Sequence, residues 1–309
     1  MPRRHPLSRT PLRERYHEPR SGPAAGGPST GRRRFLEWDE YRVEREWRRY
    51  EGTPLRDLYR QLRERFLDRH RPAEPGRSLD VGPGPGRFTE LIGHSADRYA
   101  VLDLSQAMLT RFRAVTVATS LSRADLVRGD AVKPPFRPRN FHRVALLGNV
   151  VGFAESDAPT LLERAAELVS AHGLLLTECS AGSGERSTYL HRLPPGAVAR
   201  LLAAPVRAVL PRVAREGFGP VRGRSPEGSH FRRIAVSEIA DLLRSSGFEI
   251  RETMAVAPCL GNDASRLSVV GSNPTAWEHL LELEETIGHD PPRWVKAAAI
   301  LVAAERVSV

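Results

Sequence analysis

Three glycines, Gly82, Gly84 and Gly86, follow directly on the short apolar run Ser78-Leu79-Asp80-Val81. Few features constrain a chain more. A strand that runs into alternating glycines predicts a tight turn whose backbone a ligand can approach, because glycine carries no Cβ and tolerates positive φ. The segment Arg87–Ile92 beyond it has helical character. A helix start leaves backbone N–H groups unpaired and attracts anionic or polar ligand groups. Two common phosphate-binding patterns fail here. The dinucleotide fingerprint needs a third glycine at position 87, which is Arg87, and no Gly-Lys-Ser/Thr follows.

The pattern around the loop predicts alternating strands and helices. Tyr99–Asp103 reads as a second strand, Ser105–Phe112 as the start of a helix, and Asp125–Asp130 as a third strand. Arg143–Leu147 reads as a fourth strand and Ala158–Ser170 as an amphipathic helix. A fifth strand follows at Gly173–Cys179. Such alternation predicts a parallel, doubly wound α/β sheet. The stretch 183–231, with Pro194, Pro195, Pro205, Pro211, Pro220 and Pro226, breaks the rhythm and reads as an insertion with short helical pieces such as Val198–Leu202. Regularity returns in helix Val236–Ser246, strand Phe248–Val256, helix Thr275–Thr286 and a final strand within Val295–Val307. Upstream, Phe35 to Tyr50 and Leu55 to Phe66 carry aromatic and aliphatic residues at helical spacing. Thr53 is the expected N-cap and Pro54 the first helical residue of the second segment.

The run Leu79-Asp80-Val81-Gly82-Pro83-Gly84-Pro85-Gly86-Arg87-Phe88-Thr89 resembles motif I of the class I S-adenosylmethionine-dependent methyltransferases. The likeness continues in order. Asp103 ends the second strand 17 residues after Gly86, Gly129-Asp130-Ala131 resembles the third motif, and Leu147-Gly148-Asn149-Val150 stands at the fourth. It covers about residues 77–182 and 232–307. The resemblance implies a seven-stranded Rossmann-like fold with N-terminal helices and a helical insertion after strand 5. S-adenosyl-L-methionine is the implied cofactor. Its implied cofactor-binding residues are Asp80, Gly82, Pro83, Gly84, Gly86, Asp103, Leu104, Asp130, Ala131 and Asn149. Asp103 would accept hydrogen bonds from the ribose hydroxyls, Asp80 would lie near the methionine ammonium, Asp130 near the adenine amine, and Asn149 beside the transferable methyl. The expected division of the chain is a disordered basic tail over 1–34, a helical extension over 35–72 and the methyltransferase domain over 73–309, with its insertion at 183–231.

The acceptor is less legible. Enzymes that methylate exocyclic amines of bases show Asn/Asp-Pro-Pro-Tyr/Phe at the fourth motif, where this chain has Gly148-Asn149-Val150-Val151-Gly152-Phe153. Thr177-Glu178-Cys179-Ser180 only echoes the Thr-Cys-Ser of pyrimidine carbon-5 enzymes. No residue stands out as a catalytic base; His94, His142, His172, His191 and His230 are scattered. The insertion holds eight arginines and Tyr189, which suits either an acidic substrate or a solvated surface.

Charge helps to choose. The net charge is +10, but within residues 1–34 arginines outnumber Glu14 and Glu18 nine to two, so the remainder is close to neutral. A near-neutral body and the absent base-amine motif favour a small-molecule acceptor over RNA or protein. RNA contact through the basic tail is the alternative, and a non-catalytic cofactor-binding subunit is a second. No apolar run approaches the ~18–20 residues of a membrane helix, so no membrane partner is expected. The two cysteines, Cys179 and Cys259, form neither a metal spacing nor a disulfide framework, which suits a reducing cytoplasm and no metal. Oligomeric state is not encoded legibly.

Overall fold

The structure is a computed structural model of the 309-residue chain. It describes residues 40–48, 51–72, 74–93, 96–180, 186–187, 190, 193–215, 219–220, 234–260, 263–290 and 297–307. The basic tail 1–34 lies outside the described residues. Of the insertion's arginines, only Arg200, Arg207 and Arg212 have described side chains, and all three are exposed.

Seven strands form one sheet: β1 (Gly76–Val81), β2 (Ala96–Asp103), β3 (Asp125–Arg128), β4 (Phe141–Leu146), β5 (Val169–Cys179), β6 (Phe248–Val256) and β7 (Ala299–Arg306). Their order is β3-β2-β1-β4-β5-β7-β6. The first five pair in parallel, and β7 runs antiparallel between β5 and β6. The expected seven-stranded doubly wound sheet is thus present. The helices are α1 (Glu40–Arg48), α2 (Pro54–Arg69), α3 (Thr89–Gly93), α4 (Gln106–Thr116), α5 (Val150–Phe153), α6 (Ala158–Leu168), α7 (Pro195–Leu202), α8 (Val206–Arg215), α9 (Val236–Ser245), α10 (Ala264–Gly271) and α11 (Pro274–Gly288).

Local chemistry explains the boundaries. Thr53 caps α2, its side chain accepting from the Arg56 N–H at 3.3 Å with Pro54 in the first turn. Ser105 caps α4 in the same way through Met108 N–H, at 3.2 Å. Such caps satisfy otherwise orphaned donors. The helix after the glycine loop begins two residues later than Arg87, because Gly86 is still in a turn with its N–H bonded to Pro83 O at 3.1 Å. The short helices α5 and α10 carry no long apolar stripe, and periodicity alone does not reveal them.

Both faces of the sheet are covered. On one face α6 and α9 pack through Leu161, Leu162, Ile239 and Leu243. On the other, α2, α7, α8, α10 and α11 share one apolar cluster. Leu58, Leu62 and Phe66 of α2 are fully buried there. Burial of each is worth about 1.5–3 kcal/mol relative to exposure, which seats α2 firmly on the domain.

Candidate functional site

The strand order reverses between β1 and β4. In an open α/β sheet such a switch point leaves a crevice outside the carboxyl ends of the strands. Register brings the relevant loops together there. Val81 pairs with Leu102, Asp103 with Arg128, Asp80 with Ala145, and Leu146 with Thr177. The loops are also tied directly. Gly82 N–H donates to Leu102 O at 2.8 Å, and Gly129 N–H to Asp103 O at 3.0 Å.

The glycine loop has the conformation that its sequence demands. Gly82, Gly84 and Gly86 have φ of +63°, +57° and +90°. Their surroundings differ. A Cβ at Gly82 would stand 2.7 Å from Val150 Cγ2, whereas one at Gly84 would meet nothing within 4 Å. Gly82 therefore lets the loop pack on the turn after β4, while Gly84 keeps an open backbone face. Gly148, φ +73°, is likewise open.

Two carboxylates border the loop. Asp80 is 2% exposed and accepts the Tyr99 O–H at 2.8 Å. Burial pushes its carboxyl up to about 7, against the Tyr99 hydrogen bond, with the Asp103 charge adding to the rise. Asp103, at the end of β2, accepts the Ser105 N–H at 2.8 Å. Burial raises it to about 6, while backbone N–H groups of Ser105, Gly84 and Leu104 pull the other way. A cation or a set of hydroxyls arriving here meets acceptors already stripped of water.

The other residues singled out from the sequence sit nearby in different settings. Pro83, Leu104, Asp130, Ala131 and Asn149 are all half-buried. Asp130 accepts the Val132 N–H at 3.0 Å in a turn after β3. Asn149, at φ +66°, accepts the Ser180 N–H at 2.9 Å and so fastens the turn after β4 to the end of β5.

Sequence reasoning missed a buried ion pair beside these loops. Arg63 of α2 donates Nε to Glu178 Oε2 at 2.9 Å and Nη2 to Oε1 at 2.6 Å. Glu178 Oε2 also accepts the Gly148 N–H at 3.2 Å. The signal was present. Arg63 falls on the buried flank of a helix stripe, and Glu178 stands in the apolar run Leu174-Leu175-Leu176-Thr177-Glu178-Cys179. Buried charges are rare unless paired, so each called for the other.

Helix α1 lies beside the loop. Arg87 donates to Trp47 O at 3.4 Å and pairs with Glu46 at 3.5 Å, while Arg111 pairs with Glu44 at 3.2 Å and covers the Trp47 ring. Cys179 is buried on the opposite face, its thiol pushed up to about 12 by burial, which makes it a poor nucleophile. Of the histidines, His142 is exposed and accepts the Arg77 N–H; His94, His191 and His230 lie outside the described residues. Among the described residues no cluster of three metal-type ligands forms, and no helix is long and apolar enough to cross a membrane. A cavity of about 480 Å³, lined by Arg77, Arg98, Phe136 and Phe141, opens at the other, amino-terminal end of the strands. It shares none of the loop residues.

Residues 79–173 match the protein-family model described as a methyltransferase domain. No curated protein matches the sequence significantly. Among solved structures, the chain is similar to the 1,6-didemethyltoxoflavin-N1-methyltransferase of Burkholderia thailandensis. Identity is 14%, with 93% of this chain and 94% of that one covered and a TM-score of 0.51. It is also similar to a structure of the complex between the Haloferax volcanii Trm112 methyltransferase activator and a candidate methyltransferase. There identity is 15%, coverage 87% and 97%, and the TM-score 0.50. These likenesses bear on the fold, and the family match falls on the strands and loops that build the crevice. The similarity to a methyltransferase domain therefore lies in residues 79–173, on a fold shared with these solved structures.

Proposed function

We propose that this protein transfers the methyl group of S-adenosylmethionine to a small-molecule acceptor, with the donor held over the loop 82–86. The observation that carries the reading is the open, positive-φ backbone of Gly84 between the buried carboxylates of Asp80 and Asp103. The donor set fits the cofactor. A ribose offers two hydroxyls to Asp103, and charge assistance strengthens those bonds. The methionine part offers an ammonium to Asp80. Asp130, Ala131 and Leu104 border the space proposed for the adenine. Gly82, Pro83 and Gly86 shape the loop, and Asn149 fixes the turn after β4. The proposed division remains a basic tail over 1–34, a helical extension over 35–72 and the catalytic domain over 73–309.

The cofactor supplies a methyl on an already activated leaving group, a sulfonium sulfur. The chain's own task is then to hold the acceptor in line and exclude water, and good alignment alone is worth about 7–11 kcal/mol of barrier in favourable cases. Among the described residues no side chain at the crevice is placed as an obligatory base. Asp80 and Asp103 are engaged by Tyr99 and Ser105, and Glu178 by Arg63 and Gly148. That arrangement suits an acceptor that is nucleophilic without enzymatic deprotonation. The small-molecule reading rests on the fourth motif, which lacks the base-amine pattern, and on the near-neutral body.

Calorimetry with S-adenosylmethionine tests the donor claim; absence of binding by the wild type refutes it. Incubation of radiolabelled donor with cell extract, nuclease-treated extract and a size-filtered fraction tests the acceptor. Label in the low-mass fraction is expected, and label confined to nuclease-sensitive material overturns the small-molecule reading.

A further inference from the structure

We propose that the Arg63–Glu178 pair is a positioning device for the methyl donor: a charge-balanced anchor that fixes the Gly148–Asn149 turn and governs discrimination between donor and demethylated product. The inference rests on the donor-binding reading above.

The pair is enclosed. The side chains of Arg63 and Glu178 are 10% and 4% exposed. Both carboxylate oxygens are used, Oε1 by Arg63 Nη2 and Oε2 by Arg63 Nε and the Gly148 N–H. Arg63 Nη1 donates to Tyr59 O at 2.9 Å, and the rings of Tyr59 and Phe88 lie 5.5 and 5.7 Å from the guanidinium carbon. The contacts hold Glu178 ionised below the usual carboxylate range against its burial. The carboxylate is therefore occupied and acts through the groups it holds.

Its partners reveal what it holds. Phe88 is the second residue after Gly86, and Gly148 begins the turn after β4. The pair thus lies between the two segments that flank the switch point and ties both to α2. Attachment of α2 needs no such device, because Leu58, Leu62, Phe66 and Leu67 already seat it. A buried ion pair in an apolar interface is seldom more stabilising than apolar residues of the same volume. A charge pair at this place adjoins the site proposed for the donor, whose sulfonium would be cationic where the product's thioether would be neutral.

The test compares binding of S-adenosylmethionine and S-adenosylhomocysteine by calorimetry. Glu178→Gln keeps the shape and leaves the Arg63 charge uncompensated. We expect affinity for the donor to fall about tenfold more than affinity for the product. Arg63→Lys keeps the charge and loses the two-pronged geometry, so both ligands should weaken in equal proportion. A folded Glu178→Gln protein with an unchanged donor-to-product ratio overturns the proposal. If that variant does not fold, the double variant Arg63→Met with Glu178→Met removes both charges together. It should fold and bind both ligands at least tenfold more weakly, and wild-type affinities there refute the idea. Failure of the wild type to bind either ligand instead refutes the donor-binding reading itself.

Discussion

Replacing Asp80 by Asn should make the free protein more stable and a poorer binder. The reasoning starts from burial. Asp80 is 2% exposed, and its carboxyl is pushed from an ordinary 3.8 up to about 7. Each tenfold change in proton affinity is worth ~1.36 kcal/mol, so holding this carboxylate ionised at pH 8 costs about 4 kcal/mol. The sign follows from proton counting. Between pH 4 and 7 the folded protein holds a proton on Asp80 that the unfolded chain has released. Stability from this group therefore falls as pH rises through that window. Asn keeps an oxygen for the Tyr99 hydroxyl and never ionises. At pH 8 the variant should unfold at a temperature higher by roughly 5–10 °C, and near pH 4.5 the gap should shrink to about 1 kcal/mol. Circular dichroism melts of both proteins across pH 4.5–8.5 provide the measurement. A gap independent of pH, or an Asn variant less stable at pH 8, refutes the argument. In calorimetry the same variant should lose affinity for S-adenosylmethionine, and wild-type affinity should rise between pH 6 and 8 as Asp80 ionises.

Further predictions follow from the same geometry. Gly84→Ala should cost the fold only about 1 kcal/mol, since its penalty is the positive φ alone. It should nonetheless abolish donor binding, because the added methyl enters the open face. Gly82→Ala meets Val150 Cγ2 as well and should lower the melting temperature further than Gly84→Ala does. Asp103→Ala should weaken donor binding by roughly tenfold to several hundredfold, the worth of about one hydrogen bond to a charged group. Unchanged affinity in calorimetry would remove Asp103 from the ribose role. His289 donates to Glu252, which raises the histidine above its ordinary value. Its stabilising contribution is present below pH ~6.5 and lost as pH rises through its folded value. His289→Ala should thus lower the melting temperature more at pH 6 than at pH 9.

Much of the fold was legible because its determinants are local. Alternating apolar runs, the cap Thr53, and glycines after β1 each act over a few residues, and the sheet's first five strands follow from them. The loop glycines were legible for the same reason: positive φ is a property of one residue. Helices α5 and α10 were not, since four and eight residues carry too little periodicity and owe their shape to packing. Asp80 and Asp103 could be named from the resemblance of the loop and its neighbours to a known family, but mainly burial raises their proton affinity, and burial belongs to the sheet. The Arg63–Glu178 pair marks the limit most clearly. Its partners stand 115 residues apart. Sequence supplies a cation on one apolar stripe and an anion on another; only the fold, which lets Arg63 of α2 reach the end of β5, makes them one group. The sequence by itself determined the sheet and the loop, and the proposed donor follows from the loop's resemblance. The tertiary structure decided which charges are buried, which are paired, and therefore how the loops at the crevice are held.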